Sequence, residues 1–155
     1  MPTLVPKVFC DLDGVLCDFD GGVSKELGSG PHQLKKKEMW TGLARANDFY
    51  ANLEWMPDGR ELWEGIEHLR PTILTGLPLG YWAEPQKRRW CGRELGKDVA
   101  VITCMSRDKH LHCRDPGSVL IDDRVALREK WEEAGGVFIH HTSARSSLES
   151  LHAVL

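Results

Sequence analysis

A chain of 155 residues, 41% hydrophobic and 28% charged, has the length and composition of one globular domain with a small elaboration, which excludes a disordered tail or a collagen-like repeat. Its 20 Lys and Arg face 23 Asp and Glu, a formal charge of −3 that supplies no basic field for a polyanion, so a nucleic-acid partner is not expected. No apolar run approaches the roughly 20 residues of a bilayer span, and Met1-Pro2-Thr3 lacks the charged head and apolar core of a signal peptide, so no membrane partner and a cytoplasmic address are expected.

The first apolar run, Val8-Phe9-Cys10, reads as a buried strand and ends in Asp11-Leu12-Asp13-Gly14-Val15. The next strand begins only near Thr72, about 60 residues on, far more than a crossover needs. Residues 17–69 are therefore expected to form a small helical cap and a return helix, with residues 1–16 and 70–155 forming the core. Within the cap interval, Trp40, Phe49, Tyr50 and Trp55 read as cap core, and Lys35-Lys36-Lys37 as a solvated helix face. The return helix spans Asp58 to Leu69, with Leu62, Ile66 and Leu69 on its apolar side and Asp58 as N-cap.

Beyond it the pattern alternates. Thr72-Ile73-Leu74 reads as a strand ending in Thr75-Gly76, followed by a helix from Ala83 to Leu95 closed by Gly96. Strands are expected at Val99–Ile102, Val119–Ile121 and Val137–Ile139, with helices over Val125–Ala134 and Ser143–Leu155. This alternation implies an α/β, doubly wound, Rossmann-like and mainly parallel sheet covered on both faces. Five cysteines without a CxxC pair fit free thiols, and the Cys104 to Cys113 segment with His110 and His112 matches no standard zinc spacing.

In open parallel sheets ligands bind outside the carboxyl ends of the strands. There the sequence places Asp11 and Asp13 after the first strand, Thr75-Gly76 after the second, Arg107-Asp108-Lys109 after the third and Asp122-Asp123 after the fourth. Carboxylates so close together stay ionised only beside a compensating cation, and an all-oxygen set suits a hard divalent ion, Mg²⁺ with a substrate phosphate being the usual arrangement. Asp11 could then attack phosphorus, and Asp13, two residues on, could protonate the leaving oxygen and later activate water. Thr75 would hold phosphoryl oxygens and Lys109 would neutralise the charge that gathers there.

The order Asp11-Leu-Asp13-Gly-Val, Thr75, Lys109, Asp122-Asp123 resembles the four motifs of the haloacid dehalogenase superfamily of phosphohydrolases. Within it the chain is most similar to the 5'-nucleotidase group that includes the 5'(3')-deoxyribonucleotidases, through Leu16-Cys17-Asp18-Phe19-Asp20, Trp55-Met-Pro57-Asp-Gly59, Arg107-Asp-Lys109, Leu120-Ile-Asp-Asp-Arg124 and Trp131-Glu-Glu-Ala-Gly-Gly136. The resemblance implies Asp11 as nucleophile and Asp13 as acid/base. It implies Mg²⁺ on Asp11, the Asp13 backbone carbonyl and Asp122, with Asp123 in support, and Gly76, Arg107 and Phe19 at the phosphate and substrate. A small phosphate ester, in the first place a nucleoside monophosphate, is the implied substrate.

The cap interval is short for that group, and no paired aromatic segment for holding a base stands out in it. Lys109 is preferred as the active-site lysine; Lys87, in Glu84-Pro-Gln-Lys87-Arg-Arg-Trp90, is expected on an exposed helix face with phosphate contact as its alternative. Sugar phosphates and nucleic-acid 3'-phosphate ends are alternative substrates. A phospho-acceptor switch resembling bacterial receiver domains is the alternative from another class, disfavoured because there the acidic pair comes first and the acceptor Asp later.

Overall fold

A computed structural model describes residues 5–155; the Met1-Pro2-Thr3 start lies outside them. Its five strands, β1 (Val8–Cys10), β2 (Thr72–Gly76), β3 (Val101–Cys104), β4 (Val119–Asp122) and β5 (Val137–His140), form one parallel sheet in the order β3-β2-β1-β4-β5. The chain builds outward from β1 to β2 and β3, then returns to the other side of β1 for β4 and β5. The crevice at this reversal lies beyond the carboxyl end of β1, where Asp11 follows directly.

The strands are apolar on both faces because both faces are covered. Val8 and Cys10 join Ile73, Val119, Ile121 and Ile139 in one core, beneath α3 (Gly59–Ile66), α4 (Ala83–Glu94) and α6 (Ala144–Val154). Phe9, Leu74, Leu120 and Phe138 point the other way, onto Trp131 of α5 (Arg128–Glu133) and Cys113. Trp131 is fully buried, stands edge-on to Phe9 at 5.5 Å and donates its indole N–H to the Ser118 carbonyl at 3.0 Å, so its one polar atom is satisfied. Each fully buried Ile or Leu of the sheet contributes about 1.5–3 kcal/mol relative to exposure.

Between β1 and β2 the chain forms α1 (Phe19–Leu27), a 3-10 turn at Pro31–Gln33 and α2 (Lys36–Arg45) before reaching α3. Asp18 caps α1 by accepting from the Gly21 N–H at 3.0 Å. The absent side chain of Gly42 lets Leu27 approach, which draws α1 and α2 together. Lys35, Lys36 and Lys37 are exposed.

Three local readings change. The third strand lies two residues later than its apolar run suggests, because pairing of Ile73 with Val101 through Gly76 with Cys104 sets its register, while Val99 belongs to the turn after α4. The helix expected over Val125–Ala134 opens as a 3-10 turn, Val125–Leu127, so that α5 has only six residues. Asp58 stands at the N-cap of α3, as expected, but its carboxylate makes no cap hydrogen bond there; it accepts from the Ala144 N–H at 2.7 Å and so ties the start of α6 to α3. Among the described residues no helix is long and apolar enough to cross a membrane.

Candidate active site

Asp11 sits at the tip of β1, its N–H donating to the Ile121 carbonyl at 2.9 Å, which fixes the backbone beside β4. Asp122 ends β4 next door. The 3-10 segment Ser106–His112 after β3 turns Lys109 inward, so that its ammonium donates to Asp11 Oδ1 at 2.9 Å and to Asp122 Oδ2 at 2.8 Å. Asp122 Oδ1 accepts from the Arg124 N–H at 2.9 Å. The carboxylates at the ends of two neighbouring strands thus meet around the ammonium of Lys109, which is only 3% exposed.

Asp13 turns away from this group. Its Oδ2 accepts from Lys87 Nζ at 2.8 Å, and the same ammonium reaches Thr75 Oγ1 at 2.9 Å and the Gly76 carbonyl at 2.6 Å. Lys87 is 1% exposed, so the expectation of an exposed helix face is corrected. With three acceptors for its three N–H bonds, Lys87 braces the protein's own groups. The signal was present in the sequence: Lys87 stands four residues after Ala83, three before Trp90 and four before Cys91, and all of these are buried on one side of α4.

Charge crowding explains the titration behaviour. Burial pushes the Asp11 carboxyl up, but Lys109 and the Leu12 N–H together hold it below the usual carboxylate range. Asp122, buried and facing the Asp11 charge, is pushed up to about 7 although Lys109 opposes this, and Asp123, whose side chain is exposed at the cavity while its carboxyl is partly desolvated there, is pushed up to about 8 by that desolvation and by the Asp11 and Asp122 charges. One lysine does not neutralise three carboxylates. Asp13 is raised by burial, against the pull of Lys87.

The carboxylates of Asp11, Asp122 and Asp123 each offer an oxygen within 4.8 Å of the others. Two oxygens on opposite sides of one Mg²⁺ stand about 4.2 Å apart, so this set fits a hard divalent ion after a slight contraction. The Asp13 carboxyl lies outside this grouping; the metal contact expected of Asp13 is a backbone oxygen, which leaves its side chain for Lys87. Gly14 makes the turn possible: its φ is +80°, and a Cβ there would run into the Asp123 carboxylate.

Asp11, Asp13, Gly76, Lys109, Asp122 and Asp123 line one cavity of about 480 Å³, with Arg107 and Arg124 exposed at its mouth. Its far wall is aromatic. Phe19, from α1, stands 5.9 Å from Trp40 and 6.1 Å from Tyr50, the latter stacked, and Tyr50 stacks in turn on Trp82 at 5.4 Å. Tyr50 belongs to the buried core and Trp40 packs against it, as expected of cap core, and both also face the cavity beside Phe19. The adjacent rings of Phe49 and Tyr50 meet edge-to-face at 5.0 Å, and of the two only Tyr50 lines the cavity. Trp55 does serve packing, against Trp90 at 5.1 Å with its N–H on Glu94.

The chain is thus an α/β protein with a parallel sheet whose central strand ends in a lysine-bridged carboxylate cluster and a helical insertion that walls the same cavity. Mouse mitochondrial 5'(3')-deoxyribonucleotidase is 26% identical over 146 residues, covering 76% of this chain and 64% of that protein. The chain thus spans slightly under two thirds of that relative. A solved haloacid dehalogenase-type hydrolase, family IA, variant 3, from Entamoeba histolytica is 11% identical, covering 96% of this chain and all of that one, with a TM-score of 0.47. No family model matches. By sequence the chain is similar to that 5'(3')-deoxyribonucleotidase over most of its own length.

Proposed function

We propose that this protein is a Mg²⁺-dependent phosphomonoester hydrolase that cleaves nucleoside monophosphates through an aspartyl-phosphate on Asp11, with residues 17–69 as cap and return helix. The observation that carries this reading is the division of labour between the two buried lysines: Lys109 holds Asp11 beside Asp122, and Lys87 holds Asp13 apart from them beside Thr75. One carboxylate is kept ionised for attack while the other, raised by burial, is suited to carry a proton.

In the first step an Asp11 oxygen bonds to phosphorus, the bond to the ester oxygen breaks, and Asp13 gives that oxygen its proton. In the second, Asp13 takes a proton from water as the water oxygen bonds to phosphorus, and the acyl-phosphate bond breaks to restore Asp11. Thr75 is fully buried just behind the cavity lining, next to Gly76; its oxygen accepts from Lys87, which leaves its hydroxyl hydrogen for a phosphoryl oxygen that comes up to Gly76. Lys109 offsets charge on Asp11 and on the transferring group, and Gly76 and Arg107 border the phosphate. Mg²⁺, held by Asp11, Asp122 and the Asp13 carbonyl with Asp123 alongside, would add positive charge at the phosphoryl oxygens.

The aromatic wall of Phe19, Trp40 and Tyr50 favours a nucleotide over other small esters, since stacking of a base on an aromatic side chain contributes about 1–3 kcal/mol. The test is phosphate release from nucleoside monophosphates with and without Mg²⁺ in wild type and Asp11→Asn. Release that needs the metal and vanishes in a folded Asp11→Asn protein is expected; full activity in that variant would remove the covalent step.

A further inference from the structure

Two polar side-chain atoms of cavity-lining residues have no hydrogen-bond partner among the described residues. One is Asp13 Oδ1, buried while its sister oxygen is held by Lys87. The other is the hydroxyl of Tyr50, a residue only 2% exposed that lines the cavity. Asp13 Oδ1 is a buried acceptor left unpaired, which costs stability, and Tyr50 lines the same cavity with a hydroxyl that no group of the described residues engages, so a polar ligand entering there has both to meet.

The Tyr50 ring is held from every side. The Lys87 ammonium lies 4.5 Å from its centroid, Phe19 and Trp82 stack on it, Phe49 meets it edge-on, and the Gln86 side chain accepts from its backbone N–H at 2.8 Å. Lys87 is thereby shared between Asp13 and the face of Tyr50, which fixes the tyrosine relative to the group that protonates the leaving oxygen. Such fixing is what a specific hydrogen bond to substrate requires.

We infer that Tyr50 is a specificity-determining residue whose hydroxyl donates a hydrogen bond to an oxygen carried by the leaving group next to the ester oxygen, as a sugar phosphate has and a phenyl phosphate lacks. The inference rests on the phosphohydrolase reading above and names the leaving-group chemistry that site selects. Asp13 Oδ1 would meet the ester oxygen itself. A site built to bond a substrate oxygen discriminates against analogues without it because its own buried group is then left unpaired.

The test compares kcat/KM for deoxyuridine 5'-monophosphate and for phenyl phosphate in wild type and Tyr50→Phe, which keeps the ring over Lys87 and its stacking partners. The ratio of the two values, sugar ester over phenyl ester, is expected to fall by about tenfold, the loss typical of one neutral hydrogen bond. A ratio unchanged within about twofold overturns the inference, whether both rates fall together, as a packing role predicts, or neither moves. Tyr50→Leu, which removes ring and hydroxyl alike, should lower the ratio at least as far; a ratio preserved there also overturns it. If wild type releases phosphate from neither ester, the phosphohydrolase reading itself fails, and that outcome is distinct from an unchanged ratio in an active enzyme.

Discussion

Replacing Lys87 by Met removes a charge that has no water to take its place. At 1% exposure its ammonium serves Asp13 Oδ2 at 2.8 Å, Thr75 Oγ1 at 2.9 Å and the Gly76 carbonyl at 2.6 Å. The substitution leaves Asp13 with neither oxygen bonded, since Oδ1 is already without a partner. Breaking a buried pair from one side costs about 3–5 kcal/mol, and the 24% exposure of the Asp13 side chain places the expected loss at the lower end, about 3 kcal/mol. Most of that loss is the stranded carboxylate. The double variant Asp13→Asn/Lys87→Met should therefore recover at least about 1 kcal/mol, because a neutral amide costs less to leave in that place. Urea unfolding of wild type, both single variants and the double variant, analysed at a common slope, measures the coupling. A Lys87→Met loss under about 1 kcal/mol, or strictly additive effects, would refute the assignment of Lys87 as the counter-charge of Asp13.

Two further outcomes follow from the same geometry. Asp13→Asn should lower kcat by about 10²–10⁴, the range of general acid–base catalysis, while Mg²⁺ affinity measured by calorimetry stays within about threefold, since the expected metal contact is a backbone oxygen; a rate near wild type would remove the proton-transfer role. Because Asp122 and Asp123 are pushed up to about 7 and about 8, well above their unfolded values, they bind protons in the folded state that the unfolded chain has lost, so without metal their contribution to stability falls as pH rises from about 4 to 8. Mg²⁺ requires them ionised, so its shift of the thermal midpoint should be larger at pH 8 than at pH 5.5, with protons released on binding; equal shifts at both pH values would contradict the crowding of these carboxylates.

How much of this was legible in the sequence differs by element. The apolar runs of β1, β2, β4 and β5 announced buried parallel strands, because a sheet covered on both faces needs no polar alternation. The register of β3 was not legible, since periodicity does not say which residue of a run pairs with its neighbour. Asp11, Asp13 and Lys109 follow strand ends, Thr75 and Asp122 stand in the last residues of theirs, and the sheet order then brings all five to one edge. For Lys87, charge alone suggests an exposed face, but its helical spacing from Ala83, Trp90 and Cys91 places it on the buried side.

The sequence by itself determined the chemical inventory: which acids and hydroxyl end the strands, in which order, and that a long insertion divides the first strand from the second. Only the tertiary structure decided which lysine meets which carboxylate, and that Phe19, Trp40 and Tyr50 form one wall. The reason is one of range. Strand and helix patterns arise from neighbours a few residues apart, whereas Lys87 reaches Asp13 across 74 residues and Lys109 reaches Asp11 across 98, distances along the chain that only the packed sheet brings within hydrogen-bonding reach.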